Sequence, residues 1–519
     1  MFSNLKKFFP QNFERLTVVF LLVLAAFLRL YRISDYMTFL GDEGRDVLVA
    51  KHILEGNLTL LGPRASAADF YLGPIYYYFM APFLYVFRYN PVGPAIMVAL
   101  FGIATVYLVY KIGKEFFNTK VGLFAASLYA VSPIVIAYSR SSWNPNPMPF
   151  FTLLTLYFLY KGVIGNKSRF FILSGLFLGI AMQLHYLSTF LGAIIFLYIL
   201  IAALRFKKEL KKLLFFLFKQ YVLIFTGFVI GWSPFLFFEA RHNFPNLRTI
   251  IDFIFSSGDV TSKGNFQSIV GDVFFRLFGR LLFNFPPSEP WLKPAIPLLY
   301  WLIILLGFSC SVILLYKLFN SKKEEYLKLL LITLWFFIGI LLFGFYKKGI
   351  YDYYFAFLFP VPFLLIGNLL SFIYEKGKSF VFVSLLIFAA LFFINIQANP
   401  FKYAPNRQYE QVKKISEVVL NKADKKPFNF ALITGGNSDH AYRYFFELEG
   451  NSPVTILNPQ VDPQRKSVTN QLLIVCETNP CQPLGHSLWE IAGFGRAQIQ
   501  NEWQVSVVKV FKLTHYQGK

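Results

Sequence analysis

Long apolar runs separated by short polar stretches fill most of the chain between positions 16 and 397. A window of roughly 20 residues finds them near 16–30, 92–110, 121–138, 147–160, 170–186, 188–204, 213–238, 296–316, 328–345, 353–374 and 379–397. They predict a polytopic α-helical membrane protein with about eleven transmembrane helices. The first run, Leu16 to Leu28, is short, but Arg15 and Arg29 can snorkel their charged ends to the two interfaces. No small-residue cleavage site follows it, so it reads as an uncleaved first helix.

Three segments between or beyond the runs are too long for connectors: about 33–71, 239–293, and 398 to the end. In the first, Val47, Leu48, Ala50, Lys51, Ile53 and Leu54 fall at helical spacing over Asp46 to Glu55, and Gly56 follows as a cap. This predicts a short amphipathic helix lying on the membrane surface. The last segment changes character. Phe428 to Thr434, Gln471 to Cys476 and Val505 to Leu513 read as strands, with a helix over Ser438 to Leu448 after a Gly-Gly-Asn turn. The division is therefore a membrane domain over 1–397 and a small C-terminal α/β domain over 398–519. Gly435-Gly436 lacks both the dinucleotide fingerprint and a Walker lysine, and so reads as a plain strand-to-helix turn. Tyr76-Tyr77-Tyr78-Phe79 reads as an aromatic interface girdle.

Composition agrees with the membrane reading: 56% of 519 residues are hydrophobic and 15% charged. The net charge of +22 suggests nucleic acid until its placement is considered. Lys111, Lys114 and Lys120, then Lys161, Lys167 and Arg169, then Arg205 to Lys212 gather in short loops on alternate sides. By the positive-inside rule these loops are cytoplasmic, the N-terminus is inside and the tail is extracytoplasmic, in a plasma (inner) membrane. The basic groups thus face membrane lipids, and no nucleic-acid reading motif accompanies them. Cys310 lies in an apolar run; Cys476 and Cys481 in the tail read either as one disulfide or as unpaired thiols.

Polar residues cluster where the topology places the outer face. The first cluster is Gly41-Asp42-Glu43-Gly44-Arg45-Asp46, after the first run. A carboxylate held at the lipid boundary is partly desolvated, which suits Asp42 to proton abstraction; as a structural alternative it caps the helix behind it. Glu43 orients Asp42 or the acceptor, and Arg45 with Asp46 reads also as a surface pair. Arg64, Asp69 and Tyr71 sit among turn-forming glycines and prolines. In Tyr138-Ser139-Arg140-Ser141-Ser142-Trp143-Asn144-Pro145-Asn146, Arg140 suits a phosphate clamp and Trp143, Asn144 and Asn146 sugar recognition, against the reading of a Pro-rich turn. His185 and Tyr186 end a run; Arg241 opens the second long segment. Lys347, Lys348, Asp352 and Tyr353 lie between two late runs, where a lysine serves a phosphate or a lipid headgroup.

With Phe70-Tyr71-Leu72-Gly73-Pro74-Ile75-Tyr76-Tyr77-Tyr78 and Tyr353-Tyr354-Phe355 added to these motifs, the membrane part resembles the glycosyltransferase-C superfamily. The likeness is to its protein O-mannosyltransferase and lipid A aminoarabinose transferase relatives. It implies a GT-C fold and an inverting enzyme that moves a sugar from a polyprenyl phosphate to a hydroxyl of a protein, lipid or cell-envelope glycan. It also implies Asp42 as the base. Arg140, with Arg64 or Lys348, would then hold the departing phosphate, with Lys347 and Arg241 as further phosphate candidates. Arg45, Asp69, Tyr71, Trp143, Asn144, His185, Tyr186, Asp352 and Tyr353 would line the substrates. Some superfamily members use a divalent cation; here no second paired acidic motif supports one.

A polytopic transporter or lipid flippase is the alternative, disfavoured because its ionisable groups usually sit within the spans. A non-catalytic scaffold would need no acidic pair at the interface.

Overall fold

The structure, a computed structural model, describes residues 2–65, 69–206, 209–255, 265–286, 297–346 and 348–518, with side chains from 12 onward except at 253–255. Two compact units emerge. One comprises Met1–Tyr31, Leu58–Phe79 and Ala95–Ala404; the other comprises Arg32–Asn57, Met80–Pro94 and Pro405–Lys519.

Helices build the first unit. Among the described residues, seven are long and apolar enough to cross a membrane, or eight if Asp352–Leu358 and Pro360–Tyr374, bent by 55°, form one span. Ile75–Val86, Thr119–Val131 and Ser168–Leu184 are further apolar helices of shorter length. The run 121–138 breaks at Ser132, because Pro133 starts a new helix, leaving Thr119–Val131 with 13 residues. Ser168–Leu184 has 17. Both are apolar but short for a span.

Close packing here depends on small residues. Gly175 and Gly179 on Ser168–Leu184 meet Gly227 and Gly231 on Leu210–Gly231. A Cβ on Gly175 would lie 2.0 Å from the Ile224 carbonyl oxygen, and one on Gly227 equally close to that of Ile172. Backbones approach this closely only where side chains are absent. The contact carries Gln183 to the Gly231 carbonyl at 2.6 Å, while its own oxygen accepts the Ile75 N–H at 3.1 Å.

The second unit contains a four-stranded sheet: β1 (Asn429–Ile433), β2 (Gln471–Cys476), β3 (Ala497–Val505) and β4 (Val508–His515), in the order β1-β2-β4-β3. Strands β1 and β2 are parallel, in register Asn429 to Leu472, and the other pairings are antiparallel. Ile433, Leu472, Ile474, Phe511 and Leu513 form its core. Cys476 and Cys481 are bridged.

The first long segment belongs to this unit as far as Asn57. Its helix runs Gly41–Leu54, starting five residues before the sequence reading places it, and ends at Glu55 with Gly56 at φ 95°. Val47 and Ala50 are fully buried, and Gly44 packs against Ala441 of the helix His440–Leu448. The expected membrane-surface helix is thus corrected: its apolar face is covered by a tail helix. Phe39 joins the same packing through Tyr409, Tyr444 and Phe445.

Candidate active site

Asp42 occupies the first turn of Gly41–Leu54 and does not cap it. The helix begins one residue earlier, and its free N–H groups are satisfied elsewhere: Glu43 accepts from the Leu40 N–H at 3.0 Å, and Asn437 of the tail from the Gly41 N–H at 2.8 Å. Glu43 also accepts from the Thr38 hydroxyl at 2.6 Å and is buried, which pushes its carboxyl above the usual range despite those bonds. Asp42 is left for other use. Its carboxylate accepts from Arg45 Nη1 at 2.9 Å, and its side chain is 54% exposed. The expected desolvation falls on its neighbour instead.

Asp46 is fully buried, and its Oδ1 accepts from Arg45 Nε at 2.9 Å and Nη2 at 2.7 Å. Burial pushes its carboxyl up to about 7, against the pull of Arg45. Its Oδ2 has no hydrogen-bond partner among the described residues. One guanidinium therefore joins an exposed carboxylate to a buried one.

About 15 Å further along this helix, His52, Glu55 and Glu447 bring three metal-type donor atoms within 4.8 Å of one another. Lys51 already bridges Glu55 at 2.6 Å and Glu447 at 2.9 Å. An ammonium at that position satisfies the carboxylates, so this donor set does not fit a resident divalent ion.

The other predicted residues lie in the first unit, where they divide into groups. Trp143 packs on Tyr353 with centroids 4.4 Å apart, and His185 stacks on Tyr186 at 4.6 Å and meets Tyr353 at 5.8 Å. The Tyr186 hydroxyl bonds that of Tyr346 at 2.6 Å. These form one aromatic wall. Tyr353 also lines a small cleft with Tyr129, Tyr138, Ser139 and Asn146. Asn144 is buried and donates to the Leu184 carbonyl at 2.6 Å, a helix-joining bond rather than a sugar contact.

Arg140 is only 1% exposed. Its Nη1 donates to the Leu28 carbonyl at 2.8 Å and its Nη2 to that of Tyr31 at 2.7 Å. It closes the C-terminal end of Phe2–Leu30, where carbonyls lack intrahelical partners, so its guanidinium is engaged by backbone. Arg64 pairs with Asp69 at 2.8 Å with both side chains largely exposed, a surface pair. Tyr71 is 41% exposed, its N–H donating to Asn246 at 2.8 Å. Arg241 is exposed and Lys348 half-buried, while Lys347 lies outside the described residues.

Two cations escaped the sequence reading. Arg276 and Arg280, one turn apart on the helix Phe266–Phe283, share Asp352: Arg276 Nη2 reaches Oδ1 at 2.5 Å and Arg280 Nε reaches Oδ2 at 2.8 Å. Asp272, one turn earlier, accepts from Arg276 at 3.1 Å. The signal was present, since an Asp-x3-Arg-x3-Arg spacing puts all three on one face of an otherwise apolar helix.

Residues 72–232 match the family model described as dolichyl-phosphate-mannose-protein mannosyltransferase. A putative mannosyltransferase YycA of Bacillus subtilis (strain 168) is 25% identical over 162 residues, which are 31% of this chain and 23% of that protein. The match thus spans about a quarter of the curated relative's length. Among solved structures, ArnT from Cupriavidus metallidurans bound to undecaprenyl phosphate has a TM-score of 0.62 at 13% identity, over 96% of this chain and 98% of that one. The archaeal oligosaccharyltransferase AglB from Archaeoglobus fulgidus, in complex with an inhibitory peptide and a dolichol-phosphate, has 0.53 at 14%, over 90% and 70%. At these identities the likeness is one of fold. The chain has the ArnT-like fold of a polytopic membrane protein, and the resemblance to mannosyltransferase relatives rests on a matched family segment as well as on short motifs.

Proposed function

We propose that this chain, folded like ArnT and carrying the mannosyltransferase family segment, is an integral membrane glycosyltransferase that moves a sugar from a polyprenyl phosphate to an acceptor hydroxyl. The chemistry takes place on the extracytoplasmic side. Asp42 takes the hydroxyl proton as the acceptor oxygen attacks the anomeric carbon; the bond from that carbon to the phosphate oxygen breaks, the anomeric centre inverts, and the polyprenyl phosphate leaves.

One observation carries this reading: Asp42 sits in the first turn of a helix whose capping is done by Glu43 and Asn437, so its half-exposed carboxylate has no structural task there. Arg45 orients it, anchored from behind by buried Asp46.

Within the first unit, Arg276 and Arg280 replace Arg140 as the candidates for binding a phosphate. Both guanidiniums are oriented by a single carboxylate, and planar forks of this kind suit a phosphate's oxygens. Tyr353 and Trp143 offer flat faces for a sugar ring or a prenyl unit.

Paired assays on the purified chain in proteoliposomes separate the readings. Prenyl-phosphate sugars extracted from host membranes are supplied with an envelope fraction from cells lacking the chain. Transfer is read as release of free polyprenyl phosphate, and lipid translocation is read in parallel. Transfer without net translocation supports the enzyme; translocation without transfer supports the transporter.

A further inference from the structure

The N-terminus of Gly41–Leu54 is built from two distant parts of the chain. Leu40 precedes it and offers no polar cap, so the Gly41 N–H goes to Asn437 Oδ1. The same oxygen accepts the Ser438 N–H at 2.9 Å, and the Asn437 amide nitrogen donates to Glu477 at 3.4 Å, which fixes the side chain from three directions. Two glycines admit this approach. A Cβ on Gly41 would sit 2.0 Å from Ser438 Oγ, and one on Gly44 would sit 2.3 Å from the Ala441 nitrogen and 2.6 Å from the His440 carbonyl carbon. Residues 437–441 therefore lie directly on the turn that carries Asp42.

Within that tail segment, Ser438 Oγ and His440 Nδ1 are 2.8 Å apart, which orients the ring and leaves Nε2 for another partner. His440 is half-buried. Burial lowers its pKa, with Asp439 and Asp42 pulling it up and Arg45 and Arg443 pushing it down. Near neutral pH the imidazole is therefore uncharged, able to donate to or accept from a hydroxyl without competing with Arg45 for Asp42. A neutral hydrogen-bonding ring beside a half-exposed carboxylate is what a hydroxyl-bearing acceptor requires at the point of attack.

We propose that the turn Asn437–His440 is part of the acceptor subsite. His440 Nε2 hydrogen-bonds the acceptor next to Asp42, Ser438 orients the ring, and Asn437 is a positioning residue for the turn beneath. This rests on the glycosyltransferase reading above. It also gives the tail a task in the reaction.

The test uses full-length chain in proteoliposomes, prenyl-phosphate sugars extracted from host membranes, and envelope fraction from cells lacking the chain, each varied at saturating levels of the other. His440→Ala should raise the apparent KM for the envelope fraction about tenfold, the loss of one hydrogen bond to a hydroxyl, and leave the donor KM within about twofold. Ser438→Ala should act in the same direction and less, and His440→Asn should recover part of the loss. Circular dichroism and thermal unfolding of each variant report folding. An unchanged acceptor KM in folded His440→Ala, or a shift in donor KM alone, overturns the assignment. Asp42→Asn run beside them keeps the two readings apart: if it is inactive while His440→Ala behaves as the unmodified chain, only the subsite is lost; if it is fully active, the base assignment falls first.

Discussion

Arg45 reaches buried Asp46 through two nitrogens, at 2.9 and 2.7 Å, and spends a third on exposed Asp42 at 2.9 Å. The guanidinium's charge is thus shared between a carboxylate in contact with solvent and one that is not, and the sharing changes when the buried one takes a proton.

That proton is the basis of a pH prediction. Burial lifts Asp46 from 3.8 to about 7 in the folded chain. A carboxyl raised in this way stabilises the fold below its unfolded value and loses the contribution as pH rises toward 7, on the order of 4 kcal/mol at most. Thermal unfolding of the chain should therefore fall between pH 5 and pH 8, and Asp46→Asn should reduce that fall. Transfer should respond in the opposite sense. Below about 7, Asp46 is neutral, Arg45 is left to Asp42 alone and holds it away from the acceptor, so the acid limb of the rate profile should flatten in Asp46→Asn.

Gly44→Ala tests the packing beneath the site. Alanine would gain about 1 kcal/mol of helix propensity, but its Cβ would meet the Ala441 nitrogen at 2.3 Å, and backbone does not yield cheaply. Overpacking at such a position costs roughly 1–3 kcal/mol, so a net loss of stability and of transfer is expected. Gly435→Ala, with nothing within 4 Å of its Cβ position, is the control and should unfold as the unmodified chain does.

Arg140 and Arg276 should separate in their effects. Arg140→Ala leaves the Leu28 and Tyr31 carbonyls without their donor at a cost of roughly 1–3 kcal/mol each, seen in thermal unfolding. Arg276→Ala should lower the rate of transfer by about 100-fold or more if it meets the phosphate in the transition state. Comparable losses of turnover from both variants, with equal stability, would reject the exchange of roles.

The membrane segments were legible because hydropathy is local, whereas the break at Pro133 was passed over, since the run 121–138 stays apolar straight through it. Strand β2 was read with its observed ends, Gln471–Cys476, because it is apolar throughout and buried on both faces. Strand β3 escaped: Gln498, Asn501 and Glu502 are exposed on an edge strand, and apolar patterning does not mark such a strand. Arg276 and Arg280 were overlooked for a different reason: the stretch from 239 to 293 was read as a long outer segment with no helix placed in it, whereas the helices Pro245–Phe255 and Phe266–Phe283 lie within it. What separates Asp42 from a capping role is a bond from Gly41 to Asn437, 396 residues away, and no local pattern encodes it.

The decisive measurement is the rate of sugar transfer by purified Asp42→Asn in proteoliposomes, with native unfolding temperature and donor KM confirmed. Loss of a general base should reduce turnover by about 100- to 10,000-fold while the acceptor and donor KM values stay close to those of the unmodified chain. Turnover equal to that of the unmodified chain would contradict the assignment of Asp42 as the base.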